Sequence, residues 1–202
     1  MAKLTYEIDA KAMSSLPGMF FVQARKFGDR PFLWEKVDGV YRALSWTQVA
    51  DRISARAPGL KTAGVKPGDR VLLVSENRPE WLIADVAIMS VGAIAVPAYT
   101  ANTAVNHLHI LNDAGTRVAL VSTAQLARHV IAAAAEADTK LTVYVYEDPD
   151  KAMRSEVEIR PWSELTGHGH IAPPTPMHWT EHNNPLKNRF SEGTLGEADL
   201  RN

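Results

Sequence analysis

The hexapeptide Arg70-Val71-Leu72-Leu73-Val74-Ser75 decides the fold of this 202-residue chain. Its four central residues form an uninterrupted apolar run, which is typical of a strand buried on both faces of a parallel sheet. Asn77 and Pro79 follow at once and mark the start of a helix. That helix carries Trp81, Leu82, Asp85, Ile88 and Met89. A buried strand followed directly by a helix indicates a strand–helix unit.

The same alternation continues toward the C-terminus. Gly92 ends the first helix, and three further apolar runs predict strands at residues 94–97, 118–121 and 141–146. Between them, Thr103 can cap a helix that stops near Gly115. Ser122 and Gln125 have the spacing of a capping box before an Ala-rich helix at residues 126–137. This order predicts an α/β fold with a doubly wound, mostly parallel sheet and right-handed crossovers.

A β-hairpin precedes these units. Asp38-Gly39 stands between two β-prone runs, residues 32–34 and 41–44, which is a strong short-range hairpin signal. Ser45 and Gln48 then form a candidate capping box for a helix whose apolar stripe is Val49, Ile53 and Leu60. Pro58 lies late in that helix, where we expect it to kink or end the helix.

Composition excludes several classes of protein. Lys plus Arg number 22 and Asp plus Glu 23, so the net charge of −1 excludes a broadly basic nucleic-acid binder. The chain has no cysteine, which excludes disulfides, thiolate metal sites and a cysteine nucleophile. No stretch has the ~20 apolar residues of a spanning helix. The sequence therefore predicts a cytoplasmic protein, for which a peripheral membrane association stays open.

Two domain regions are expected. Residues 1–166 carry the periodic pattern, and we interpret them as one partial subdomain. Residues 167–202 are rich in Pro, His and Asn, have no sustained period, and predict an irregular or disordered tail.

Two motifs in the tail match functional patterns on paper. Gly167-His168-Gly169-His170-Ile171-Ala172 fits a dinucleotide-binding fingerprint, but Pro173 and Pro174 prevent the helix that must follow it. His178-Trp179-Thr180-Glu181-His182 fits a zinc-peptidase pattern, but Asn183-Asn184-Pro185 stop any helix at once. Neither motif is predicted to form a site.

Other candidate groups are also weak. His107 and His109 are two residues apart on a helix, so they point to different faces and are not expected to share a ligand. Asp85 is either a buried functional carboxylate or a partner of Arg78 or Arg117. No G-x-S-x-G elbow and no G-x-x-x-x-G-K-[ST] phosphate loop occurs in the chain. We therefore assign no catalytic, cofactor-binding or metal-binding residue.

Five strings occur in a specific order and spacing along the chain. They are Arg30-Pro31-Phe32-Leu33-Trp34, Leu44-Ser45-Trp46-Thr47-Gln48-Val49, Gly64-Val65-Lys66-Pro67-Gly68-Asp69-Arg70-Val71, Ser75-Glu76-Asn77-Arg78-Pro79-Glu80-Trp81 and Gly92-Ala93-Ile94-Ala95-Val96-Pro97-Ala98-Tyr99-Thr100. Together they resemble the N-terminal region of the AMP-forming acyl-CoA synthetases, members of the adenylate-forming superfamily. The resemblance covers about residues 20–165, and Asn77-Arg78-Pro79-Glu80-Trp81 is most similar to the long-chain fatty-acyl branch.

The resemblance implies a two-step ligation. The full enzyme uses ATP and Mg²⁺ to convert a fatty acid to an acyl-adenylate, and then passes the acyl group to coenzyme A. In the family, the strings present in this chain are mainly scaffold.

The chain departs from the family where that chemistry begins. The family has a Ser/Thr/Gly-rich phosphate loop ending in Lys, and its C-terminal domain carries a catalytic Lys. Residues Ser191-Glu192-Gly193-Thr194-Leu195-Gly196 are similar to the loop in composition only, because the Lys that ends the loop is missing. We expect a truncated or frame-shifted N-terminal fragment, with the break near Met177, that is inactive alone. The alternative is a non-enzymatic binding or regulatory module that associates with an intact synthetase, and self-association through exposed faces is also expected.

Overall fold

The computed structural model describes residues 15–147 and 156–167. Within these ranges the chain forms five α-helices, seven β-strands and one 3₁₀ turn. The order is α1 (Leu16–Phe27), β1 (Pro31–Val37), β2 (Val40–Ser45), α2 (Trp46–Thr62), β3 (Arg70–Val74), α3 (Pro79–Ser90), β4 (Ile94–Ala98), α4 (Ala104–Ala114), β5 (Val118–Val121), α5 (Ala124–Ala134), β6 (Thr142–Val145), β7 (Glu158–Pro161) and the turn Trp162–Glu164.

The predicted hairpin is confirmed. β1 and β2 pair antiparallel, with Val37 opposite Val40 across the two-residue turn. Asp38 and Gly39 both have positive φ, 51° and 81°. This is the backbone that a tight hairpin turn matching the strand twist requires, and it explains why an Asp-Gly pair occupies it.

The predicted doubly wound parallel sheet is also confirmed. Its five strands lie in the order β4-β3-β5-β6-β7, and all four pairings are parallel. The fifth strand, β7, was not predicted. It is only four residues long, and its residues alternate between exposed and half-buried, as is typical of a strand at a sheet edge, so it has no continuous apolar run. Helix α1, with Ser15 as its N-cap, was not predicted either.

Helices cover both faces of this sheet, and the central strand β3 shows how. Val71 and Leu73 belong to a core beneath α1, α2 and α3, whereas Leu72 and Val74 belong to a second core beneath α4 and α5. All four side chains are completely buried. The uninterrupted apolar run of residues 71–74 therefore contributes to both cores.

Helix α2 begins as predicted and runs through Pro58 to Thr62. Ser45 and Gln48 exchange backbone-to-side-chain hydrogen bonds of 3.1 and 2.9 Å, which completes the capping box. Pro58 was expected to kink or end the helix, and an end at Pro58 is wrong, since α2 continues to Thr62. Its extension is held by tertiary packing, because the last turns bury Ala57, Gly59 and Leu60.

The predicted N-cap of α5 is one residue off. Thr123, not Ser122, caps the helix by accepting a hydrogen bond from Leu126 N–H at 3.2 Å. Ser122 is completely buried and directs its hydroxyl to the carboxylate of Glu76 instead. A tertiary partner has therefore displaced the local capping interaction.

In the described ranges, none of the helices is both long and apolar enough to cross a membrane. The predicted tail lies outside the described residues, apart from Gly167.

Candidate functional site at the carboxyl edge of the sheet

The strand order creates a crevice at the carboxyl edge of the sheet. The chain leaves β3 toward β4 on one side, whereas β5 lies on the other side of β3. The loops that follow β3 and β5 therefore diverge, and in open α/β sheets ligands bind at such a switch point. The side chains just beyond Val74, Val121 and Val145 line this edge.

The loops after β3 and β5 are tied together by one side-chain contact. The hydroxyl of Ser122 donates a short hydrogen bond to Oε2 of Glu76. Ser122 N–H also donates to the carbonyl of Val74 at 3.0 Å. Since Ser122 is completely buried, its side-chain position is fixed by packing and Glu76 is held across the switch point.

Arg78 links the same edge to the neighbouring strand. Its Nε donates to Glu80 at 2.9 Å and its Nη1 to Glu147 at 3.3 Å, so it joins the start of α3 to the end of β6. Partial burial alone would lower the pKa of Arg78, but the bonds to the two carboxylates outweigh it and raise the pKa. The guanidinium is 5.9 Å from the ring centroid of Tyr146.

A tyrosine with an enclosed hydroxyl lies beside Arg78, and a half-buried carboxylate lies near that tyrosine. The hydroxyl of Tyr146 is enclosed and has no hydrogen-bond partner among the described residues. Burial, with Glu80 close by, raises the pKa of Tyr146 far above its usual value. Asp85 is half-buried, and loss of solvent raises the pKa of its carboxyl group.

A shallow groove of about 250 Å³ opens beside this network, between β1 and the first turn of α3. Two indole rings, a proline ring and an aliphatic side chain share its walls with an amide and a guanidinium. The lining residues are Leu33, Trp34, Asn77, Arg78, Pro79 and Trp81.

The charged side chains described at this edge are mostly carboxylates. The guanidinium of Arg78 is paired with the carboxylates of Glu80 and Glu147, and the carboxylate of Glu76 is bonded to Ser122, so these groups together carry a net negative charge that would repel a phosphate. No group of three metal-ligating side chains occurs among residues 15–147 and 156–167. The arrangement is suited to holding three loops in place.

The sequence candidates are not brought together. His107 is buried and His109 exposed on α4, which confirms that they face different ways. Arg78 bonds to Glu80 and Glu147 rather than to Asp85. Of the fingerprint at residues 167–172, only Gly167 is described, and the His178 and His182 motif and the string at residues 191–196 lie outside the described residues.

Sequence reasoning missed the group formed by Glu76, Arg78 and Ser122. A signal was present, because polar residues directly follow two predicted buried strands. The strand order, which makes β3 and β5 neighbours, was the missing information.

The sequence profile of AMP-binding enzymes matches residues 20–190, which is most of the chain. The chain belongs to the AMP-binding enzyme family. The match extends beyond residue 165, where the resemblance was expected to end.

One curated relative is the long-chain-fatty-acid–CoA ligase FadD15 of Mycobacterium tuberculosis, which is 35% identical over 109 residues. That alignment covers 54% of this chain but only 18% of FadD15. The chain thus spans less than one fifth of the length of this relative.

Solved structures show the same fold. A long-chain-fatty-acid CoA ligase from Rhodopseudomonas palustris superimposes with a TM-score of 0.64 at 24% identity, covering 80% of this chain and 38% of that one. The N-terminal subdomain of Klebsiella oxytoca NpsA gives a TM-score of 0.54 at 21% identity, covering 80% and 34%. The predicted fold class and family resemblance are therefore confirmed.

Proposed function

We propose that this chain is the N-terminal portion of an ATP-dependent, AMP-forming long-chain fatty acid–CoA ligase and that its 202 residues are inactive alone. The observation that supports this proposal most directly is the family match over residues 20–190. The sequence nevertheless lacks the family's Ser/Thr/Gly-rich phosphate loop. Partial coverage of FadD15 supports the same proposal.

The proposed reaction of the whole enzyme joins a fatty acid to coenzyme A. ATP and Mg²⁺ would activate the carboxylate by giving it a good leaving group, with cationic groups stabilising the phosphate charge. No described residue is assigned to ATP, Mg²⁺ or coenzyme A, because the carboxylates at the sheet edge oppose a phosphate. Residues 1–166 would act as scaffold, and residues 167–202 would be an irregular tail.

Within such an enzyme, the described residues would supply a rigid sheet. The Glu76–Ser122 contact and the Arg78 bonds to Glu80 and Glu147 fix three loops at the edge where doubly wound folds bind ligands. The role of these residues would be to position segments that carry the chemistry.

An activity assay tests the proposal. The purified chain, given a long-chain fatty acid, ATP, Mg²⁺ and coenzyme A, should form no acyl-CoA, whereas intact FadD15 assayed in parallel serves as the positive control. Acyl-CoA formation by this chain would contradict the inactivity.

The gene sequence tests the origin of the missing loop. Translation of the other two frames downstream of the Met177 codon should reveal a Ser/Thr/Gly-rich loop ending in Lys within a few tens of codons. Its absence from every frame would contradict a frame shift.

The second candidate function is a binding module that associates with an intact synthetase. It is favoured by exposed large apolar side chains, since Val40, Tyr41, Tyr99 and Val105 are 62–83% exposed. Size measurement of the chain alone and mixed with an intact synthetase distinguishes the two candidates. A stable mixed complex would favour the module, and two separate species would exclude it.

A further inference from the structure

Among the described residues, the edge of the five-stranded sheet at β4 is protected against pairing with a further strand. The N–H of Ile94 donates to the carbonyl of Asp69 at 2.8 Å, so it points toward β3. Successive residues of a strand direct their backbone groups alternately to its two sides. Pro97 therefore stands at an outward-facing position of β4, where it supplies no N–H donor.

Two other edge strands, β1 and β7, carry features that also oppose pairing. β1 begins with Pro31, and its register with β2 shifts between Pro31 and Leu33. β7 is only four residues long, and two of these, Glu158 and Arg160, form an exposed ion pair. Prolines, irregular register, short length and charged side chains are the usual means by which edge strands avoid association.

The remaining edge, β2, is open. Residues 40–43 are all exposed, contain no proline, and pair with β1 in a regular register. In a two-residue hairpin the residues flanking the turn, here Val37 and Val40, form a hydrogen-bonded pair, and the pairs alternate from there. The backbone N–H and C=O groups of Tyr41 and Ala43 therefore point away from β1, toward the free edge.

We propose that two copies of this chain associate through β2, with the two strands antiparallel and a two-fold axis at Tyr41. The backbone groups of Tyr41 exchange two hydrogen bonds with those of Tyr41 in the second copy, and the two rings lie side by side on one face. The two hairpins then form one four-stranded sheet. This association does not depend on whether the chain belongs to an active ligase.

Two neighbouring registers are disfavoured by particular residues. An axis at Arg42 places two guanidinium groups directly opposite each other, and like charges in that position destabilise a sheet. An axis at Ala43 requires the N–H of Ser45 as a donor to the second copy. That N–H already donates to the side chain of Gln48 at 2.9 Å, in the capping box of α2.

An axis at Tyr41 makes the charges of the hairpin self-complementary. Arg42 then lies opposite Val40 of the second copy and diagonal to Asp38 of that copy. Diagonal neighbours on one face are roughly 7–8 Å apart, which long side chains can span. Because the interface is two-fold symmetric, this pairing of opposite charges occurs twice. A second copy therefore fits this edge in both hydrogen bonding and charge.

Sedimentation equilibrium of the full chain tests the association. The wild-type chain should shift from monomer to dimer as its concentration rises. Tyr41→Lys should raise the dimer dissociation constant at least about tenfold, because two ammonium groups would then face each other in place of an aromatic pair. The matched control is Trp34→Lys, at another exposed aromatic residue of the hairpin but on β1, and it should leave the constant unchanged.

Three outcomes of this experiment would overturn the proposal. They are a chain that stays monomeric at every concentration, a dimer that Tyr41→Lys does not weaken, and equal weakening by Tyr41→Lys and Trp34→Lys. The last would indicate packing through a face of the hairpin rather than pairing along β2.

Hydrogen exchange of the wild-type chain tests the same interface without a substitution. The amides of Tyr41 and Lys36 belong to residues that lie opposite each other, and they point to opposite edges of the hairpin. Protection of the Tyr41 amide should rise with protein concentration, whereas the Lys36 amide should stay unprotected. Protection of Tyr41 that does not change with concentration would show that β2 is covered within one chain, and protection of Lys36 would place the interface on β1. Either result, or a dimer with an unprotected Tyr41 amide, overturns the proposal.

Discussion

Gly59 on α2 lies directly against the backbone of Leu165, so that a Cβ on Gly59 would be 2.7 Å from the Leu165 Cα. Arg56, one turn earlier, donates to the carbonyls of Trp162 and Ser163 at 3.0 and 3.4 Å. Together with the Gly167–Ala55 hydrogen bond, these contacts bind residues 162–167 to α2. The last described segment is therefore fixed on the helix that Pro58 was expected to interrupt.

Gly59→Ala should destabilise the protein despite alanine's higher helix propensity. The added methyl group overlaps backbone atoms of Leu165, which cannot rotate away, and overpacking of this kind costs about 1–3 kcal/mol. The propensity gain of about 1 kcal/mol offsets only part of that cost. Urea unfolding should show a lower midpoint with an unchanged slope.

Gly18→Ala is the matched control. A Cβ at Gly18 would meet only the Ser15 hydroxyl, at 3.1 Å, and a side chain can move by a few tenths of an ångström. Equal destabilisation by the two substitutions would show that the Leu165 contact is not the cause.

Local patterns predicted most of the elements correctly. The hairpin follows from Asp38-Gly39, and the central strands follow from uninterrupted apolar runs such as residues 118–121. The turn signal and the apolar runs depend on residues adjacent in sequence and on their hydrophobicity, so both can be recognised without knowing the tertiary structure.

Long-range pairing was not predictable in the same way. Ser122 has capping-box spacing, yet it bonds to Glu76, which lies 46 residues earlier. Pro58 has a helix-ending signal, yet the helix continues where residues from the far end of the sheet pack against it. The candidate site depends on such pairings, and so it became visible only with the strand order.

Gly39→Ala should destabilise the hairpin. At φ 81° a Cβ is strained, and a left-handed conformation costs roughly 1–2 kcal/mol for a residue with a side chain. Asp38→Asn is the control, because asparagine tolerates the φ of 51° and Asn-Gly is favoured in such turns. The midpoint temperature of thermal unfolding should be lower than wild type for Gly39→Ala only. A lower midpoint in both variants would contradict the assigned turn.

Ser122→Ala and Thr123→Ala should each destabilise the protein, but through the loss of different contacts. Each substitution should cost about 1 kcal/mol, the first through the hydrogen bond to Glu76 and the second through the lost helix cap. In a Glu76→Ala background, which has no side-chain acceptor, the cost of Ser122→Ala should shrink and that of Thr123→Ala should not. A double-mutant cycle by urea unfolding measures both, and a Ser122 cost independent of Glu76 would contradict the contact.

His107 should make stability fall as the pH is lowered. The imidazole is 1% exposed and its Nδ1 has no partner among the described residues. Burial, and to a lesser degree His129, lowers the pKa of His107 below its usual 6.5. The unfolded chain then binds more protons than the folded one between that lowered pKa and 6.5, so acidification through this window favours unfolding.

Substitution separates this effect from other titrations. Urea unfolding at about pH 7.5 and about pH 5.5 should show a smaller loss of stability for His107→Gln than for wild type. His109→Gln, on the same helix but exposed, should keep the wild-type loss. The same loss in both variants would contradict a role for His107.

Arg56 should control local opening of residues 162–167 rather than global stability. Its guanidinium bonds to two carbonyls and lies 4.8 Å from the Trp162 ring centroid, and burial lowers its pKa. Lysine keeps the charge but cannot reach both carbonyls as a planar fork. We expect Arg56→Lys to accelerate hydrogen exchange at the Gly167 amide about tenfold, which corresponds to the loss of one hydrogen bond.

The control for this prediction lies one turn away. Arg52 is exposed on the same helix, so Arg52→Lys should leave the exchange of Gly167 unchanged. The amide of Val143, a completely buried residue on β6, should exchange at the wild-type rate in both variants, because exposing it requires opening of the sheet. If Arg56→Lys accelerates Val143 as much as Gly167, then Arg56 stabilises the entire fold and residues 162–167 are not a separately opening unit.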